Sequence, residues 1–354
     1  MKKIQIIMVL LCLMAICLFP TACGKGPVVP DAPGGSLFSA QTIPPGAGSV
    51  WHQVTAGATW SRRTSFRSLV YNNKVWILGG WISGTSTDEV WNTLNGNAWT
   101  KTSGSGSGVP FTSRYLQSDL VFENKMWAIG GLCYVPPAPF FPLNDIWSSS
   151  DGVTWNMASS GASIFTPRYA HSSVVYKNKA WVIGGDAWAL GYKGDVWSSM
   201  DAIHWTPVTP MGPFGPRFHH TTVVFNPATG SGVDGLMWLI GGSPSSIGGY
   251  KNDVWYSADG ATWTLATAAA PFSPRAFHSS VVFGGAIWVM GGTDGVSPLK
   301  DAWYSYDGYH WAEASSAVTF GPRELFASVV FNLGMWVMGG YDGANARNDV
   351  WYSP

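Results

Sequence analysis

Charge is scarce in this sequence. Only 11% of its 354 residues are charged, and 20 basic side chains balance 20 acidic ones, against about 25% charged in an average soluble domain. With no net charge and no block of one sign, the chain offers no electrostatic case for nucleic acid or an acidic membrane surface. Cysteine is limited to Cys12, Cys17, Cys23 and Cys133, which define no disulfide framework. The only glutamates are Glu89, Glu123, Glu313 and Glu324, and none forms an acid/base pair at a fixed spacing. The apolar run from Ile4 to Phe19 falls short of the roughly 20 residues that a spanning helix needs. Glycine (43) and tryptophan (21) are plentiful instead, so aromatic side chains must carry much of the core.

The N-terminus reads as a targeting segment. Lys2 and Lys3 precede the apolar run, and Pro20-Thr-Ala-Cys23-Gly follows it, the order of a secretory signal. Cysteine directly after Thr21-Ala22 resembles the lipobox of bacterial lipoproteins, which implies lipidation of Cys23; Pro20 departs from the aliphatic residue usual there, and ordinary signal cleavage nearby is the alternative. Residues 1–22 are thus expected to be a signal peptide. Residues 23–49, rich in Pro and Gly, read as a flexible tether of about 30 Å reach. The destination is the bacterial cell envelope, with membrane contact only through the lipid.

Self-similarity governs residues 50–354. A Trp three residues before a Gly-Gly pair recurs as VWILGG, MWAIGG, AWVIGG, MWLIGG, IWVMGG and MWVMGG, with pairs beginning at Gly79, Gly130, Gly184, Gly241, Gly291 and Gly339. An Arg and a β-rich run precede each pair, as in PRYAHSSVVY. An acidic-Val/Ile/Ala-Trp phrase, a turn and another Trp follow it. Short β-branched runs bounded by Gly or Asn-Lys turns read as strands, and the Asp-Gly turns as hairpins. Four-stranded units of about 50 residues arranged radially make a β-propeller.

These units resemble kelch repeats in the Arg before the first strand, the Gly-Gly ending the second and the Trp beginning the fourth. The resemblance implies a six-bladed propeller and no particular activity. A Tyr common between Gly-Gly and Trp in that family is missing from most copies, and the SxDGxTW phrase also resembles the Asp-box hairpin of sialidase-type propellers. The sixth unit ends at Pro354 after three strands, while Trp51-His-Gln-Val54 is a fourth-strand phrase without a blade. The expectation is an all-β propeller with four antiparallel strands per blade, its last blade closed by Trp51–Val54.

Repeat positions separate structural residues from candidates. Eighteen of the 21 tryptophans recur in register, and Trp60 stands where other copies have Phe; Trp81 and Trp188 have no repeat reason. In an up-and-down blade the loops after Gly-Gly and the loops before the first strand emerge on one face. Trp81, Trp188, Tyr192, Tyr250 and the long loop from Leu132 to Asn144 are expected there, as a neutral aromatic platform for sugar rings or a partner's apolar anchors, or else as packing for the loops themselves. The six arginines Arg63, Arg114, Arg168, Arg217, Arg275 and Arg323 match six acidic residues in number. A structural ring of ion pairs is expected, with a rim of carboxylate-reading guanidiniums as the rival. Arg67, Asp119 and Glu324 break the small-residue pattern of the innermost strand or its approach, and are further ligand candidates unless Arg67 and Asp119 simply pair. His171, His220 and His278 share a repeat position and read as core or loop-bonding residues. Cys133-Tyr134 resembles the copper site of the galactose oxidase group, but nothing identifies further ligands. The Asp294-Gly and Asp342-Gly loops lack the carboxylate density of a calcium site. No cofactor or metal is expected.

The functional expectation is a monomeric, envelope-anchored, non-enzymatic module binding a protein or carbohydrate through its loop-rich face. The alternative is a sugar-active enzyme, epimerase- or mutarotase-like, using Asp119, Glu324 and Arg67 at the channel mouth.

Overall fold

The computed structural model describes residues 46–104, 111–161, 164–227, 235–246 and 248–354. The expected signal peptide, Cys23 and the tether up to residue 45 lie outside the described residues. The rest forms six four-stranded antiparallel sheets, with a two-stranded hairpin on the first. Their first strands, Arg67–Tyr71, Ser118–Phe122, Ser172–Tyr176, Thr221–Phe225, Ser279–Phe283 and Ala327–Phe331, contact one another in cyclic order around a central channel. The sheets are therefore the blades of a six-bladed propeller, numbered here 1 to 6 from Arg67 onward. Among the described residues there is no α-helix, only a single 3-10 turn at Trp188–Leu190.

Local chemistry explains the elements. SSVVY-type runs extend because β-branched side chains suit the pleat. They reverse at pairs such as Asn72-Asn73 and Lys177-Asn178, where both residues take positive φ, the condition of a type I′ hairpin turn. Apolar residues gather mainly in six clusters between neighbouring blades; one joins Val75 and Ile77 of blade 1 to Val329, Trp336 and Met338 of blade 6. A seventh, small cluster joins Leu116, Ala170 and Phe218.

The repeated phrase is a set of inter- and intra-blade clamps. Arg275 is fully buried, gives Nη1 to the Gly291 carbonyl at 2.9 Å and holds Asp301 through both Nη atoms at 2.7 and 2.6 Å. Asp301 also accepts the indole N–H of Trp303 at 2.8 Å, and the Phe272 ring covers the guanidinium at 5.2 Å. The same two-pronged arrangement recurs at Arg114–Asp145, Arg168–Asp195, Arg217–Asp253 and Arg323–Asp349, while Arg63 holds Glu89 through Nη2 alone. These arginines are thus structural and are not a rim facing solvent. Gly-Gly is required because the next blade packs on it: a Cβ at Gly79 (φ +61°) would lie 2.5 Å from the Arg114 carbonyl oxygen.

Blade 6 closes with His52–Thr55 paired antiparallel to Ala346–Ser353, in the register His52↔Tyr352 and Gln53↔Trp351. The turn between the third and fourth strands is rebuilt across the break. In blade 5 Gly308 N–H donates to Ser305 Oγ at 2.7 Å and Trp311 Nε1 to the Gly308 carbonyl at 3.3 Å. In blade 6 Gly48 N–H donates to Ser353 Oγ at 2.9 Å and Trp51 Nε1 to the Gly48 carbonyl at 3.0 Å. Trp288 of blade 5 lies against Gly48, as Trp238 of blade 4 lies against Gly308.

Candidate functional site

The loops after Gly-Gly and before the first strand emerge on one face, and the structure crowds aromatic rings there on blades 1 to 3. Trp81 lies 5.7 Å from Tyr134 and 6.1 Å from Phe140, Tyr134 and Phe140 are 4.0 Å apart, and Phe140 is 6.2 Å from Trp188. The interplanar angles along this row are 11° to 25°, so the rings run nearly parallel from blade 1 to blade 3. Trp188 is 50% exposed, with Phe140 and Leu190 also exposed beside it.

Trp188 is held there against its backbone preference. Its φ is +57°, a left-handed conformation that costs an L-residue about 1–2 kcal/mol. Asp186 offsets this by accepting the Trp188 N–H on Oδ1 at 2.7 Å, and its other oxygen is fixed by the Tyr169 hydroxyl. Burial and the Asp186 carboxylate raise the Tyr169 phenol well above its ordinary range, so it remains a donor. An exposed, strained indole with dedicated support is a common mark of a binding position.

Beside Trp81 a groove of about 560 Å³ runs between blades 6 and 1, lined by Arg62, Thr64, Trp81, Glu324, Tyr341 and Asn345 among others. Burial raises the Glu324 carboxyl above the usual range, against a hydrogen bond from Thr293. A second groove of about 710 Å³ lies between blades 4 and 5, beside Tyr250 and Asp294. The Tyr250 phenol is raised by burial and by the carboxylates of Glu324 and Asp294. Tyr192 is engaged otherwise: its ring stacks on Phe218 at 5.0 Å and its hydroxyl accepts the Ser246 N–H at 2.8 Å. It packs the loops of blades 3 and 4.

Beneath this face a ring of backbone encircles the channel. The residues two after each repeat arginine, Ser65, Leu116, Ala170, His219, Phe277 and Leu325, all have φ between +52° and +58°. Each donates its N–H to the carbonyl of its counterpart one blade back: Leu116 to Ser65, Ala170 to Leu116, His219 to Ala170, Phe277 to His219, Leu325 to Phe277 and Ser65 to Leu325, at 2.8 to 3.3 Å. This closed ring of six hydrogen bonds knits the blades together at the axis. His219 stacks on Phe277 at 3.8 Å within it.

Below the ring a polar cavity of about 140 Å³ is lined by Arg67, Asp119, the three repeat histidines and the hydroxyls of the first strands. Arg67 and Asp119 therefore share one cavity, while Glu324 lines the groove above; the three do not converge on one mouth. No ion pair joins Arg67 to Asp119 among the described residues, although each carries the other's field. His171, His220 and His278 are buried and lowered, by burial first and by Arg168, Arg217 and Arg275 respectively, so they stay neutral. Each packs against the first glycine of the preceding blade's pair, a structural position. Among the described residues no group of three His, Cys, Asp or Glu side chains could hold a metal ion.

The sequence marked Tyr134 only through its pairing with Cys133, and did not mark Phe140 within that loop, nor Arg62, Tyr341 and Asn345 of the groove. The six left-handed residues of the ring carry no common residue type that could have marked them.

The fold and its loop face define a β-propeller of the six-bladed class. The family model described as the DUF6242 beta propeller domain matches residues 48–353, and the chain belongs to that family. Among solved structures it is similar to one titled "Structure of YjhT", with a TM-score of 0.65 and 14% identity over 83% of this chain and 96% of that one, a likeness of fold. No curated protein matches.

Proposed function

We infer that this propeller is a carbohydrate-binding module of the cell envelope, working through the aromatic row and the adjoining groove on blades 6 and 1 to 3. The observation that carries the reading is Trp188, half exposed, in a strained backbone that Asp186 supports, at the end of a row of near-parallel rings. Flat apolar rings accept the C–H faces of sugars, and polar groups at their edge take the hydroxyls. The groove beside Trp81 has that composition, with Glu324, Arg62, Thr64 and Asn345 around one indole. Its volume lies in the range of small-ligand sites, roughly 300–1,000 Å³. A kelch-type repeat architecture, delivery by a lipoprotein signal with Cys23 as anchor, and a monomeric state complete the reading.

The test is a glycan array followed by calorimetry on the best ligand. Binding that falls at least tenfold in Trp81→Ala and Trp188→Ala, with unchanged melting, supports the reading. A silent array together with recovery of one protein partner through the same tryptophans would replace carbohydrate by protein. The enzymatic alternative lacks a convergent site, since Arg67 and Asp119 sit in a different cavity from Glu324.

A further inference from the structure

Six equivalent strands wall the channel, and their hydroxyls satisfy one another on one side only. From blade 3 round to blade 6, Ser172 Oγ bonds Thr222 Oγ1 at 2.7 Å and His220 Nε2 at 2.9 Å. Thr221 Oγ1 bonds Ser280 Oγ at 2.7 Å and His278 Nε2 at 3.0 Å, and Ser279 Oγ bonds Ser328 Oγ at 2.5 Å. Between blades 1 and 3 this chain breaks. Ser118 Oγ, both carboxylate oxygens of Asp119, Ser173 Oγ and both ring nitrogens of His171 are shielded from solvent and lack a hydrogen-bond partner among the described residues. Arg67 donates Nε to the Gln117 carbonyl at 2.8 Å, and among the described residues its two Nη atoms have no partner.

A buried polar group left unpaired costs about 1–3 kcal/mol, and native folds rarely leave several together. The fold pairs the equivalent strand hydroxyls in the other sector, so the orphaned Ser118, Asp119 and Ser173 are a local feature of the wall, whereas an unpartnered Nδ1 is common to His171, His220 and His278. The orphaned groups line the 140 Å³ cavity. At about 30 Å³ for each water, that is room for a molecule the size of acetate or lactate. A guanidinium fork with both Nη atoms free matches a planar carboxylate bidentately. Hydroxyls and a neutral imidazole can serve its remaining lone pairs or an adjacent hydroxyl.

We propose that the blade 1–3 sector of the channel is a binding site for a small carboxylate, held by the Arg67 fork with Asp119, Ser118 and Ser173 completing its hydrogen bonds. The site is separate from the carbohydrate reading of the loop face. The ring of left-handed residues lies between it and the loop face.

Protonation fits the assignment. The charged and titratable groups around Asp119 are Arg67 from blade 1, Arg114 on its own blade, His171 from blade 3 and, across the cavity, His220 and His278. Burial raises the Asp119 carboxyl to about 7, against the pull of Arg67 and Arg114. The histidines are lowered and stay neutral. Near neutral pH Asp119 therefore takes up a proton, removing a repulsive charge and gaining a donor for the bound anion.

The experiment titrates sodium acetate and sodium lactate into the full-length protein by calorimetry and melting, with sodium chloride at equal ionic strength and inorganic phosphate as controls. Saturable binding of either carboxylate is expected, with affinity rising as pH falls from 8 to 6. It should weaken about tenfold or more in Arg67→Gln, as loss of charged hydrogen bonds implies. Asp119→Asn should bind with no pH dependence over that range, and Trp188→Ala should bind as wild type. If Arg67→Gln fails to fold, Arg67→Lys keeps the charge without the fork and is expected to weaken binding as well. Chloride acting as well as acetate, tighter phosphate binding, or wild-type affinity in the folded Arg67 variant would each overturn the proposal.

Discussion

Blades 4 to 6 and blades 1 to 3 are built on one phrase, yet they depart from it to different degrees. On blades 4 to 6 the second residues of the channel strands are Thr222, Ser280 and Ser328, and all three hydroxyls are paired with a neighbouring blade. On blades 1 to 3 the same region carries Arg67 and Asp119 and leaves Ser118 and Ser173 unpaired. The loop face divides the same way, with the row from Trp81 to Trp188 confined to blades 1 to 3. A propeller needs every blade for closure, but only the repeated positions serve that need. The stacked row and the unpaired channel hydroxyls thus lie on blades 1 to 3, while Glu324 and Tyr250 depart from the phrase on blades 6 and 4.

Substitutions can test that division. Deleting residues 46–55 should have the largest effect, because it removes the fourth strand of blade 6 and its rebuilt turn, and exposes the Ala346–Ser353 edge. A sharp fall in melting temperature is expected; an unchanged melt would contradict the closure. Arg275→Ala, at a repeat position, removes a fully buried side chain and leaves the partly buried Asp301 without its partner, and should cost about 3–5 kcal/mol in chemical denaturation. Trp188→Ala should leave the melt within a degree or two and reduce sugar affinity by about 2 kcal/mol or more.

A pH-dependent effect concerns Asp119. Its folded pKa, about 7, lies above the unfolded value. The associated stability is therefore present below the unfolded pKa and is lost as pH rises through about 7. Wild type should lose stability relative to Asp119→Asn between pH 4 and 8, read as diverging melting temperatures. Parallel curves would show that the carboxyl does not titrate in that window.

The repeat made most of the fold legible. Blade number, strand order and the closing strand follow from phrases whose spacing is imposed by packing, since each Trp, Gly-Gly and Arg has one partner in every copy. Trp81 and Trp188 were visible as tryptophans outside the register, and Arg67 and Asp119 as charges in place of small residues. Backbone conformation was not visible in the same way. Ser65, Leu116, Ala170, His219, Phe277 and Leu325 share a left-handed φ and a hydrogen-bond ring without sharing any chemistry, because the neighbouring blades impose that conformation. The use of Gly48 as the missing turn was hidden too, since Ser353 lies 305 residues away. Tyr192 takes the other course named for the loop aromatics, packing its loop against Phe218 and Ser246.

The most direct test of the division is to compare Trp188→Ala with Trp263→Ala, one tryptophan outside the repeat and one within it, against the best ligand from the glycan array. Trp188→Ala is expected to melt as wild type and to bind at least tenfold more weakly. Trp263→Ala, truncated in the cluster between blades 3 and 4, should lose about 3–5 kcal/mol of stability while its folded fraction binds with wild-type affinity. Wild-type binding by Trp188→Ala would contradict the account.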